Sequence, residues 1–86
     1  MRQPSQEKLI EDLVPATTLF CDVALPVPLD VAFTYRVPEE LQGSAAPVVG
    51  GRVLVPFRQQ RLSGVVVELH DRAPSVAAKN ILSVLD

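Results

Sequence analysis

The chain has one cysteine, Cys21, one histidine, His70, no tryptophan and only four glycines in 86 residues. A single cysteine excludes an internal disulfide framework and any cysteine-built zinc cage, so stability has to come from packing. Cys21 itself reads as a small strand hydrophobe. With one histidine and no G-x-S-x-G, H-E-x-x-H or Gly-Lys-Ser/Thr phosphate loop, the common catalytic constellations are missing, and the chain is expected to perform no chemistry of its own. His70 reads as a partly exposed strand terminus with Asp71 as its neighbouring acid. No apolar run approaches the ~20 residues that a membrane span needs. Glu7, Glu11 and Asp12 interrupt the N-terminus where a secretory signal would be apolar, so a cytoplasmic protein without a membrane partner is expected.

Acidic residues are absent from Leu41 to Val67, where Arg52, Arg58 and Arg61 all fall. A net charge of −2 for the whole chain argues against a general nucleic-acid coat, which normally carries a strongly basic balance. The local excess of arginine survives inside that total, as a positive patch or as a solvated loop.

Hydrophobic residues make up 48% of the chain and charged residues 21%, with a mean hydropathy of +0.24, which is the composition of a folding domain. Pro4–Val14 has Ser5 as a candidate N-cap and Leu9, Ile10 and Leu13 at helical spacing, so a short amphipathic helix is expected there. From Thr17 the pattern turns to strand, with Leu19, Cys21 and Val23 alternating against Phe20, Asp22 and Ala24. Pro26 and Pro28 then remove two backbone donors and make Leu25–Leu29 an edge or a connection. A second strand, Phe33–Val37, puts Phe33, Tyr35 and Val37 on one face and Thr34 and Arg36 on the other, with Tyr35 expected in the core together with Phe57. Glu39–Gly51 reads as a surface loop.

The clearest unit is a β-hairpin, with strands Arg52–Phe57 and Gly64–Leu69 around a six-residue loop, Arg58–Ser63. Asn80–Leu85 supplies a last short strand or helical turn. The fold expected is therefore mostly β: a small five-stranded barrel or curled sheet of the OB or SH3-like kind, with a short N-terminal helix. Closure into a barrel would remove the exposed edges of the valine-rich runs Val53–Val55 and Val65–Val67.

Four motifs occur in order: Val23-Ala24-Leu25-Pro26-Val27-Pro28-Leu29 with Phe33-Thr34-Tyr35 close behind, Gly51–Phe57, Ser63–Val67, and Lys79 before Val84-Leu85-Asp86. Together they resemble the N-terminal domain of the primosomal protein N′ family of bacterial replication-restart helicases. The resemblance covers residues 21–86 as a 3′ DNA-end-binding β domain and leaves 1–20 as an N-terminal extension. It implies a module that recognises the 3′-OH end of the nascent leading strand at a stalled fork. Its implied partners are branched DNA with 3′ single-strand ends, the remaining helicase domains in cis and other primosome proteins. ATP and zinc belong to the parent helicase that the resemblance implies, and no cofactor is expected in this chain.

Carried across residue by residue, the family's end-binding pocket matches Phe33, Thr34, Arg58 and Lys79, with Arg61 as a further candidate phosphate contact. Two of these depart from the family pattern, which commonly has an aspartate where Thr34 stands and a small residue where Arg58 stands. A threonine hydroxyl offers one hydrogen bond in place of a carboxylate's stronger acceptance. Arg58 either crowds the pocket or adds a phosphate contact. The physical logic holds without the family: an aromatic face stacks on any base, and cationic side chains add salt-sensitive phosphate contacts. A protein-interaction module of SH3-like type is the alternative that the hairpin would suit equally well.

Overall fold

The computed structural model describes residues 18–86. The helix expected over Pro4–Val14 and most of the expected N-terminal extension lie outside them. Five strands form one antiparallel sheet: β1 (Leu19–Ala24), β2 (Ala32–Val37), β3 (Arg52–Phe57), β4 (Gln60–His70) and β5 (Ser83–Val84), in spatial order β2-β1-β4-β3-β5. A single 3₁₀ turn, Glu39–Leu41, interrupts the β2–β3 connection. Among the described residues no helix is long and apolar enough to cross a membrane.

Alternation explains the core. Cys21 and Val23 of β1, Tyr35 and Val37 of β2, Val53 and Val55 of β3 and Val66 of β4 lie on one sheet face and are buried together with Ile81. Each such aliphatic side chain contributes about 1.5–3 kcal/mol through burial. The connection after β1 is compact because Val27 N–H reaches the Leu25 carbonyl and Leu29 N–H reaches the Val27 carbonyl, two successive three-residue turns centred on Pro26 and Pro28.

Three expectations change. Phe57 pairs directly with Gln60, so the loop between β3 and β4 is two residues, Arg58 and Gln59, instead of six. The strand pairing continues through Arg61 to Ser63 because these polar side chains project from a sheet whose backbone groups gain partners regardless of side-chain polarity. Tyr35 sits in the core as expected and donates its hydroxyl to the Pro56 carbonyl at 2.7 Å, but Phe57 does not join it there: Phe57 is half-buried, with its ring against Phe33.

The sheet is also open, not closed into a barrel: no ladder joins β2 to β5. Strands β2 and β3 are nevertheless laced by the same C-terminal segment. Arg36 N–H donates to the Lys79 carbonyl at 2.8 Å, Ile81 N–H donates back to the Arg36 carbonyl, and Leu82 N–H donates to Leu54 of β3. The valine-rich edges are covered without closure, since β4 is interior and β3 is flanked by β5. A bulge between β1 and β4, where Asp22 faces Glu68 but Val23 faces Val66, lets the long β4 bend and returns Leu69 to the core face opposite Cys21.

Candidate nucleic-acid interface

β2 is an edge strand, paired with β1 on one side and, among the described residues, bonded through its main chain on the other side at Arg36. Beyond that contact the C-terminal segment diverges from β2, and a hollow of about 360 Å³ opens between them. Its walls come from three separated stretches of chain: Phe33, Thr34 and Tyr35 of β2, Pro56, Phe57 and Arg58 at the tip of the β3–β4 hairpin, and residues 74–79. Arg36 turns its N–H and carbonyl outward. By the two-residue repeat of an antiparallel pair, Thr34 turns its own main-chain groups out from the same edge.

Phe33 is half-buried and meets Phe57 edge to face, with ring centroids 5.1 Å apart. The guanidinium of Arg58 lies over the Phe57 ring at 5.2 Å, so the arginine and the two phenylalanines form one contiguous cluster beside the hollow. Arg58 reaches this position with φ of +58°, at the first central position of a two-residue hairpin turn, where glycine is the residue without strain. Lys79 is exposed on the opposite wall, positioned by its carbonyl's bond to Arg36.

Of the residues expected to form a site, Phe33, Thr34, Arg58 and Lys79 therefore line one hollow, and Arg61 does not. Arg61 sits across the hairpin from Pro56, exposed. The arginine patch divides further. Arg52 is paired with the Asp86 carboxylate at 2.9 Å and fastens the C-terminal residue to β3, leaving Arg58 and Arg61 as the cations near the hairpin tip.

Thr34 carries an arrangement that sequence reasoning missed. Its hydroxyl donates to Asp22 Oδ1 at 2.7 Å, directly across from it on β1. The same oxygen lies 2.9 Å from His70 Nε2, and Arg72 N–H reaches His70 Nδ1 at 3.1 Å. His70 ends β4, as expected, but its side chain is only 7% exposed, stacked on Phe20 and bonded to Asp22 instead of Asp71. The bulge and the curl of β4 bring its end back over β1, which the chain order does not reveal. One signal was present, since a carboxylate in the middle of an apolar strand needs polar partners.

Partial burial disfavours the Asp22 charge, but hydrogen bonds from His70 and Thr34, and the nearby His70 and Arg72, outweigh it and hold the carboxyl below its ordinary range. Burial, helped by the Asp22 charge, pushes the Cys21 thiol up to about 11, which keeps it protonated and unreactive. Among the described residues no group of three or more His, Cys, Asp or Glu side chains is placed to hold a metal.

The 3′DNA-binding domain (3′BD) family matches residues 22–86. The replication restart protein PriA of Buchnera aphidicola subsp. Acyrthosiphon pisum (strain APS) is 36% identical over 50 residues, which is 58% of this chain and 6% of that protein. The protein of the same name from Buchnera aphidicola subsp. Schizaphis graminum (strain Sg) is 40% identical over 45 residues, 52% of this chain and again 6% of its own length. The chain thus matches only about 6% of the length of these curated relatives.

Proposed function

The chain belongs to the 3′DNA-binding domain family, and from that premise we propose that it captures the 3′-OH end of a DNA strand in the hollow beside β2. In this reading it serves as the end-sensing N-terminal module of a replication-restart helicase and meets the nascent leading strand at a stalled fork. The motor, its ATP and its metal belong to the rest of that larger protein, as do further primosome partners.

The observation that supports the reading is convergence. A strand edge, a hairpin tip and a C-terminal segment, far apart in sequence, bring aromatic side chains, the β2 edge at Thr34 and two cations to one hollow. The Phe33 and Phe57 faces suit a base of any identity, at about 1–3 kcal/mol per stacked base. Arg58 and Lys79 on facing walls suit the phosphate that precedes the terminal nucleotide. A hollow of about 360 Å³ has room for about one nucleotide.

Fluorescence anisotropy with short single strands tests this. Oligonucleotides ending in a 3′-OH are expected to bind more tightly than the same strands ending in a 3′-phosphate. Equal binding to both, or binding to neither, sinks the proposal. In the same assay Lys79→Ala lowers affinity and reduces the log–log salt slope by ~0.7, one single-strand phosphate contact.

A further inference from the structure

We infer that the Tyr35 hydroxyl is a positioning group that ties the tip of the β3–β4 hairpin to β2 and so sets the opening of the hollow proposed for the strand end. The inference rests on the end-binding reading above and names what holds that site in shape.

The hairpin needs such a tie. β4 pairs with β1 only from Val65 onward and β5 pairs with β3 only at Val53 and Leu54, so among the described residues Pro56 to Arg61 find their strand pairing only within the hairpin. A two-stranded ribbon without a third strand is marginal in water. In the order β2-β1-β4-β3 two strands separate the hairpin from β2, so no direct ladder fixes the distance between Phe33 on one side of the hollow and Phe57 and Arg58 on the other.

Tyr35 spans that gap. It follows Phe33 by two residues on the same face of β2, its ring is buried in the core, and its hydroxyl donates to the Pro56 carbonyl at 2.7 Å. Burial, helped by Cys21, raises the pKa of the phenol, so the hydroxyl keeps the hydrogen it donates. The Leu54 carbonyl accepts from Leu82 N–H, and by the two-residue repeat the Pro56 carbonyl turns to the same side of β3, one step past that bond. Proline has no N–H to offer to a further strand there, and a side-chain donor takes the carbonyl instead. The bond also ends beside both members of the aromatic contact: Tyr35 is two residues from Phe33, and Pro56 adjoins Phe57, which carries the Arg58 guanidinium on its ring. Removing the hydroxyl therefore loosens the wall that carries Phe57 and Arg58, while the Lys79 wall keeps its own bonds to Arg36.

The test measures the affinity of the full 86-residue chain for a short single strand ending in a 3′-OH, at a temperature where melts show every variant folded. Tyr35→Phe keeps the ring and loses only the oxygen, and is expected to weaken binding by roughly two- to tenfold, the range of one neutral hydrogen bond. A double-mutant cycle separates positioning from general loosening. In a Phe57→Leu background, where the aromatic contact is already gone, Tyr35→Phe should change affinity by no more than about twofold, whereas in a Lys79→Ala background it should keep its full effect. Amide exchange adds a reading on the wild type alone: Phe57 and Gln60, which face each other at the hairpin tip, should be protected in the free chain and gain little when the oligonucleotide is bound. If Tyr35→Phe does not fold, this exchange measurement decides the question. An affinity unchanged by Tyr35→Phe, an effect of the same size in both backgrounds, or a hairpin tip protected only when DNA is bound overturns the inference and leaves end binding intact. Absence of any wild-type binding overturns both.

Discussion

Strands β2 and β3 meet the same C-terminal segment and are treated differently by it. Along β3 the segment is fully engaged: Val53 and Leu54 pair with Val84 and Ser83, Leu82 and Leu85 donate to β3 carbonyls, and the Arg52–Asp86 ion pair fastens the end. Along β2 it touches main chain only at Arg36, through Lys79 and Ile81, and leaves the strand's first half facing a hollow. A small sheet has to dispose of both edges. Here one side is sealed by backbone and the other borders the hollow proposed as the binding site. The lesson is that edge protection and ligand access come from one eight-residue stretch, Lys79–Asp86, whose two ends do different work.

Breaking the segment's hold on β2 has the largest expected effect. Ile81 is 2% exposed and anchors the segment in the core next to its bond with Arg36. Ile81→Ala should cost about 2–5 kcal/mol in chemical denaturation. It should also lower oligonucleotide affinity more than Lys79→Ala does, because the whole wall that carries Lys79 loosens. An affinity unchanged beside a large loss of stability would show that the wall is not held by this contact.

A smaller change sharpens the contrast at the hairpin tip. Arg58 adopts φ +58°, a conformation that costs an L-residue roughly 1–2 kcal/mol relative to what glycine accepts. Arg58→Gly is expected to stabilise the domain by about 1 kcal/mol and raise the thermal midpoint by about 4–8 °C. The same substitution removes the cation stacked on Phe57 and so weakens DNA binding. A residue that lowers stability while serving the site is the usual meaning of local strain beside a binding surface. A fall in midpoint would show that the stacking outweighs the strain.

The smallest effect concerns the polar face. The folded Asp22 carboxyl is held below its unfolded value of about 3.9. Its contribution to stability is therefore complete above that value and is lost as pH falls through the lower, folded one. Thermal melts should show little change from pH 7 to about 5 and a decline below about 4. Asp22→Asn should make that acid decline shallower, and an identical acid profile would mean that the Asp22 bonds to His70 and Thr34 do not differ in strength between the two protonation states.

Much of this was legible along the chain. Alternation gave β1 and β2 their inward residues, the prolines at 26, 28 and 38 marked where pairing stops, and the run Arg52–Phe57 was a strand on propensity alone. Phe33 and Lys79 could be singled out by resemblance, and the hollow lies between them. The hairpin loop is shorter than the polar run Arg58–Ser63 suggests, because β4 gains backbone partners by continuing through Arg61, Leu62 and Ser63.

What the sequence determined by itself is the set of strands and the face each residue takes, because a period of two is a local property of an extended backbone. What only the tertiary structure decided is which strands adjoin, in what register, and how far the last segment follows each edge. These depend on packing between distant residues: Asp22 meets His70 across 48 positions, and Lys79 reaches the hollow only because Ile81 is buried two residues later. No local pattern encodes such pairings, since any strand can hydrogen-bond any other and the choice is made by which arrangement buries the valines and satisfies the carboxylate.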